Sequence, residues 1–144
     1  MIVVDVNLLV YSHRSEMVEH GEGAAWLIEL AGGDETFALT SATVAGFVRV
    51  VTNHRVFPEP SSTDVACMFV EELAASPVCR WIEPGERWWS RFDKLARQTR
   101  ARGNVVPDAQ LAALTIEHGA RLATADHGFA RFGGLEWFDP LLPT

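Results

Sequence analysis

Residues 1–4, Met-Ile-Val-Val, form an uninterrupted apolar run that stops at Asp5. A strand built this way has no polar face to turn to water. It must be covered on both sides, which is the environment of a parallel sheet between helical layers. Similar short runs return as Phe37-Ala38-Leu39-Thr40, as Val78 to Ile82 and as Arg121 to Thr124. Helical spacing fills the intervals. The chain turns helical after Asp5, and a longer helix runs from His20 to Leu30, with Trp26, Leu27 and Leu30 on its apolar face and Gly32-Gly33 ending it. Ser41 is positioned to cap a helix reaching about Thr52, closed by Asn53, and Ser62 or Thr63 starts another that ends near Ser76-Pro77. Further helices are predicted from about Glu86 to Arg102 and from Asp108 to His118, the latter stopped by Gly119. This alternation predicts an α/β fold of three layers, a central parallel sheet with helices on both faces.

At 144 residues the chain fits one domain spanning 1–144, and 48% apolar against 22% charged residues supplies one ordinary core. Disorder is expected only after Pro140. The apolar start has no basic flank and carries Asp5 in its middle, so it is neither a signal peptide nor a membrane span, and a cytoplasmic protein is expected. Cys67 and Cys79 are too far apart for a CxxC pair and are expected as buried free thiols. The five histidines, His13, His20, His54, His118 and His127, show no zinc spacing. The net charge of −7 argues against nucleic acid as a partner until its distribution is considered. Arg87, Arg91, Lys94, Arg97, Arg100 and Arg102 crowd one stretch, while the acids are dispersed.

Functional groups in parallel sheets gather beyond the carboxyl ends of the strands. Asp5 ends the first strand, and Asp126 follows the last clear one within Thr124-Ala125-Asp126-His127-Gly128. Asp108 stands before the apolar run Ala109 to Ile116. Each acid alone has an ordinary explanation: Asp5 as a helix cap, Asp108 as a favourable charge at a helix N-terminus, and Asp126 as a turn residue. Together they describe one acidic crevice. Clustered carboxylates raise one another's pKa unless a cation neutralises them, and oxygen-only ligation suits magnesium or manganese.

The segments Asp5-Val6-Asn7-Leu8-Leu9-Val10-Tyr11, Gly46-Phe47-Val48-Arg49-Val50-Val51-Thr52-Asn53 and Pro107-Asp108-Ala109-Gln110-Leu111-Ala112-Ala113-Leu114 occur in that order. They are followed by Glu117-His118-Gly119-Ala120, Thr124-Ala125-Asp126 and Phe129-Ala130-Arg131-Phe132. Over nearly the whole chain this series resembles the PIN domain, specifically the VapC ribonuclease toxins of bacterial type II toxin–antitoxin pairs. The resemblance implies a PIN-like α/β/α fold and a magnesium-dependent endoribonuclease, with manganese as a substitute. Its substrate would be structured cellular RNA (transfer RNA foremost, otherwise ribosomal or messenger RNA), cut by in-line hydrolysis to 5′-phosphate and 3′-hydroxyl ends. It further implies a homodimer and a cognate VapB-type antitoxin that covers the crevice. Asp5 and Asp108 would be the principal metal ligands and Asp126 the third carboxylate. Thr124 would orient a carboxylate or water, and Asn7 would position the Asp5 loop.

The sequence departs from the family pattern twice. Gly46 stands where many PIN domains carry a metal-binding glutamate, and Gly128 replaces an acid that often lies two residues beyond the last aspartate. Glu16 and Glu117 are read as helix-surface acids rather than replacements. On the predicted helix after Glu86, Trp88, Phe92, Leu95 and Thr99 share the core-facing side. Arg87, Arg91 and Lys94 line an adjacent face with Arg97 and Arg100 beside it, either as a solvated stripe or as RNA-phosphate contacts, with Arg87, Arg91, Lys94 and Arg97 the candidates. Trp89 is expected in the core or an interface, with base stacking as the alternative. Two other functions fit the residues. One is a non-catalytic PIN-like module that binds RNA or protein after losing the glutamate. The other is a phosphotransferase using Asp5 as nucleophile, which Asn7 and the single lysine, Lys94, disfavour.

Overall fold

The computed structural model describes residues 1–143. Its five strands are β1 (Ile2–Val4), β2 (Phe37–Leu39), β3 (Cys79–Trp81), β4 (Arg121–Ala123) and β5 (Trp137–Phe138). They form one sheet in the order β3-β2-β1-β4-β5, and every pair is parallel. The connecting helices are α1 (Val6–His13), α2 (His20–Gly32), α3 (Ser41–Val51), α4 (Thr63–Ala74), α5 (Trp88–Thr99) and α6 (Val105–Glu117), with a short 3-10 turn at His127–Arg131. The strand alternation divides the core. Ile2, Val4, Phe37 and Leu39 face α1 to α4 in one cluster. Val3, Ala38 and Leu122 face α5, α6 and Phe129 of the 3-10 turn in the other. Side chains of successive strand residues point to opposite faces, so each three-residue strand feeds both layers. This is the three-layer α/β/α arrangement expected from the sequence.

Chain order puts the functional edge where it is. From β1 the chain steps outward through β2 to β3, then returns through α5 and α6 to β4, on the other side of β1. The order therefore reverses between β1 and β4, and a crevice opens beyond the carboxyl ends of those two strands.

Several local details differ from the sequence expectations. Thr40, not Ser41, caps α3: its side chain accepts from Thr43 N, and Thr43 returns the bond to the Thr40 amide. Helix α6 begins at Val105, so Asp108 lies inside its first turn instead of opening it. Pro107 is tolerated there because amides of a first turn have no intrahelical partner. Strand β5, with only two residues, was too short to show in the pattern. Leu141, past Pro140, packs against the first core cluster, and Thr144 lies outside the described residues. Cys67 is exposed and Cys79 half-buried, because Cys67 sits on the outer side of α4 beside buried Ala66 and Cys79 on the edge strand. Trp88 and Phe92 pack on the second core as expected, but Trp89 is 63% exposed and stands outside it. Among the described residues no helix is long and apolar enough to cross a membrane.

Phe47 is fully buried, with His13 and Phe69 against its ring at centroid distances of 5.4 and 5.0 Å. Phe47→Ala is expected to cost about 3–5 kcal/mol through lost transfer energy and the cavity left behind. A urea titration followed by circular dichroism would measure this as a lower midpoint with the slope unchanged.

Candidate active site at the carboxyl edge of the sheet

Asp5 leaves β1 and caps α1, with Oδ1 accepting from Val6 N at 2.7 Å. Its Oδ2 accepts from the Thr124 hydroxyl at 2.7 Å and from Asn7 Nδ2 at 3.2 Å. Thr124, fully buried just past β4, is itself an acceptor from Asn7 Nδ2 at 3.1 Å and from Asp126 N at 3.0 Å. Asn7 Oδ1 closes the network by accepting from Ala125 N at 3.3 Å. Asn7 and Thr124, predicted as supporting residues, thus join the end of β1 to the end of β4. Asp126 then caps the 3-10 turn, with Oδ1 accepting from Gly128 N at 2.8 Å.

Asp108 reaches the same place from the first turn of α6. Asp5, Asp108 and Asp126 all line one crevice of about 680 Å³, together with Asn7, Gly46, Arg49 and Glu83. Among the described residues, no side chain or backbone group donates a hydrogen bond to the Asp108 carboxylate. Burial pushes its pKa up to about 6, with further push from Asp126 and Asp5 and a partial offset from Arg131. Asp5 is also raised, by burial first and against the hydrogen bonds from Thr124 and Val6, with Asp126 adding to the rise. Burial and the surrounding acids likewise push the Tyr11 phenol up. The crevice is a place where negative charge is held at a cost, which a bound cation would relieve.

Among the described residues, no three Asp, Glu, His or Cys side chains converge into a closed metal cage. The donor set is nonetheless chemically suited to magnesium. It is all oxygen, Asp108 is free of other partners, and magnesium commonly takes one or two carboxylates while keeping water for its remaining positions. Gly46 does line the crevice and contributes no ligand; a Cβ there would lie 3.2 Å from Val6 Cγ2.

The other acids have different work. Glu16 forms a two-bond pair with Arg14 and lies outside the crevice lining. Glu117 also lies outside it, yet it is no ordinary surface acid: its carboxylate, with the side chain only 9% exposed, accepts from Gly85 N at 2.7 Å and Arg87 N at 3.0 Å. His118 pairs with Glu83 O at 2.9 Å. The end of α6 thereby fixes the loop that carries Glu83. Sequence reasoning missed Glu83, which lines the crevice and accepts from Ser41 N at 2.6 Å and Ser41 Oγ at 2.8 Å. Its signal was available, since it follows the strand at Val78 to Ile82 just as Asp5 follows the first. Asp139, after β5, was missed with that strand; it pairs with His127 Nε2 at 2.7 Å behind the Asp126 turn. The α5 cations do not join the site. None of Arg87, Arg91, Lys94 and Arg97 lines the crevice, and Arg97 is paired with Asp93 at 2.8 Å.

A parallel α/β/α sheet with a buried aspartate network at its switch point and an acidic crevice beyond it defines a class of carboxylate-centred sites. The comparisons with known proteins make the class specific. Residues 2–135 match the PIN domain family model. The chain is 47% identical over 141 residues to the VapC ribonuclease Mb2897 of Mycobacterium bovis, covering 98% of this chain and 96% of that protein. It is 34% identical to the ribonuclease VapC25 of Mycobacterium tuberculosis, covering 97% and 99%. Among solved structures, VapBC2 from Rickettsia felis bound to a promoter DNA fragment matches with a TM-score of 0.72 at 18% identity, covering 96% of this chain and 98% of that one. The sarcin-ricin loop cleaving toxin VapC20 of M. tuberculosis matches at 0.65 and 14%, covering 90% and 93%. The chain belongs to the PIN domain family, in its VapC branch.

The elevated Asp108 pKa has a consequence for stability. The native state holds the Asp108 proton up to about pH 6, whereas the unfolded chain releases it near 3.8, so the fold loses stability as pH rises from about 3.8 and the loss is complete above about 6. Asp108→Asn is expected to stabilise the metal-free protein by about 1–2 kcal/mol at about pH 7.5. The gain should shrink as pH falls and vanish below about pH 4, where both states are protonated. Thermal melts of both proteins across that range would read it.

Proposed function

We propose that the protein is the toxin of a type II toxin–antitoxin pair and a magnesium-dependent endoribonuclease acting on structured cellular RNA. Transfer RNA is the favoured substrate, with ribosomal or messenger RNA next. The observation that carries the proposal is the gathering of Asp5, Asp108 and Asp126 in one crevice, with Asp108 unpartnered and its ionised form disfavoured. The names of the 47% and 34% identical relatives as ribonucleases support the same reading.

Asp5, Asp108 and Asp126 would hold magnesium, with manganese as a substitute, and the ion would supply charge against the phosphate oxygens and acidify water. The chain's own residues divide the remaining work. Thr124 and Asn7 fix the orientation of the Asp5 carboxylate, and Thr124 also receives the Asp126 amide, so the two acids keep their relative position without rearranging. Gly128 N holds Asp126 Oδ1, leaving Oδ2 for the site. Arg87, Arg91, Lys94 and Arg97 would meet phosphates further along a large folded substrate, outside the crevice. The partners would be a VapB-type antitoxin over the crevice and a second copy of the chain, in the cytoplasm. Solved structures of related fold are those of VapBC2 from Rickettsia felis and of FitAB, each bound to a DNA fragment.

A second reading, a non-catalytic module, draws on the glycine at position 46 and on the lack of a closed cage among the described residues. Cleavage separates the two. Purified protein incubated with total cellular RNA is expected to give discrete fragments with 5′-phosphate ends in magnesium, and none in EDTA or after Asp5→Asn or Asp108→Asn. Intact RNA in magnesium, with folded and antitoxin-free protein, would decide for the module. Thr124→Val should lower the rate about 10–100-fold by releasing the Asp5 carboxylate, with Thr124→Ser restoring most of it.

A further inference from the structure

RNA brings phosphates to a crevice lined by Asp5, Glu83, Asp108 and Asp126, on a protein of net charge −7. Some cation must meet those phosphates near the cut, and the α5 arginines lie outside the crevice. Two other guanidinium groups come nearer: Arg49 lines the crevice, and Arg131 lies outside the lining but beside the Asp126 turn, where its charge is felt at Asp108. Arg49 is the one basic side chain among the described lining residues, and no group among the described residues engages it in a hydrogen bond or ion pair. It follows Gly46 by three positions on α3, the spacing at which helix side chains are neighbours. An acid at position 46 would compete for Arg49 as an ion-pair partner, and glycine leaves the guanidinium free.

Arg131 closes the 3-10 turn that Asp126 opens. Its Nε donates to Gly128 O at 2.8 Å, which anchors the group while the terminal nitrogens stay without partners among the described residues. Gly128 makes this placement possible. A Cβ at that position would lie 2.9 Å from Arg131 Nη2 and 2.9 Å from Asp126 Oδ1, so the guanidinium and the carboxylate both lie close over a residue that offers no obstruction. The Arg131 charge also reaches Asp108, offsetting part of the push from the other acids. An arginine near the Asp126 and Asp108 carboxylates, yet in an ion pair with neither, is a group held ready for another anion. Its planar fork matches a phosphate in two bonds.

We propose that Arg49 and Arg131 form a phosphate-binding pair at the crevice, holding the RNA backbone next to the bond that is cut. The two departures from the family pattern, Gly46 and Gly128, then share one effect: each removes an acid and leaves an arginine unpaired. The assignment rests on the nuclease reading and deepens it.

The test is RNA binding in magnesium on an Asp108→Asn background, so that nothing is cut, with end-labelled bulk transfer RNA as probe and anisotropy as readout across a salt series. Arg49→Ala and Arg131→Ala are each expected to weaken binding about 5–10-fold and to reduce the salt slope by about one. The lysine variants should keep the slope and recover part of the affinity. Arg121→Ala, which removes a cation paired with Glu35 at the opposite end of β4, should change neither. Thermal melts would check that each variant is folded. Unchanged affinity and slope in folded Arg49→Ala and Arg131→Ala, or equal losses in Arg121→Ala, would overturn the pair. If the otherwise wild-type chain binds and cuts RNA while those slopes hold, only the pair fails; if it neither binds nor cuts RNA, the nuclease reading fails with it.

Discussion

The hydroxyl of Thr124 is where the two halves of this molecule are joined. It is fully buried, donates to Asp5 at the end of β1, and accepts from Asn7 and from the Asp126 amide after β4. The backbone of a parallel sheet sets the spacing of neighbouring strands but says nothing about how the loops beyond them meet. Here a single buried side chain with one donor and two acceptor positions settles it, and each position is used. A buried polar network of this kind has value only when complete, because an unpaired member in a low dielectric costs more than the network gains. That requirement explains why the network sits on rigid strand ends instead of on mobile loops, and why both acids it serves have fixed directions.

Around this joint the electrostatics run against folding and toward function. Asp5 is buried beside another acid, Asp108 has no hydrogen-bond or ion-pair partner among the described residues, and both resist ionisation. A chain selected for stability alone would replace one of them. The fold tolerates the strain because its two apolar clusters lie on opposite faces of the sheet, and the acids occupy only the edge between them. Loop support comes from equally local devices. Glu117 and His118, at the end of α6, hold the backbone from Glu83 to Arg87, while His127 and Asp139 brace the turn after Asp126. Acids with no place in the crevice thus keep its walls in position.

The arginines show how little net charge says about a binding surface. Those that crowd the α5 segment in sequence lie outside the crevice lining, and one of them is paired with Asp93. Arg49, isolated in the sequence, lines the crevice, and Arg131 closes the turn that Asp126 opens. Density of charge along the chain does not say which element faces the site.

The sequence by itself determined the layers, because short β-branched runs bounded by polar residues suit strands covered on both sides, and the longer 3.6-residue apolar periods between them suit helices on a core. It also determined that Asp5 and Asp126 lie at one edge, since parallel strands all end on the same side. It could not show β5, whose two residues carry no period, nor the cap of α3, where Thr40 and Ser41 are both competent and only the observed torsions choose between them. Burial of Cys67 was misjudged because residue type gives an average, whereas the face of α4 it occupies gives the answer. Tertiary structure alone decided the rest of the acid set: Glu83 joins Asp5, Asp108 and Asp126 from the end of β3, while Glu117 is turned away to clamp a loop. Those choices depend on how helices pack across the sheet, a sum of many long-range contacts that no local pattern in the chain records.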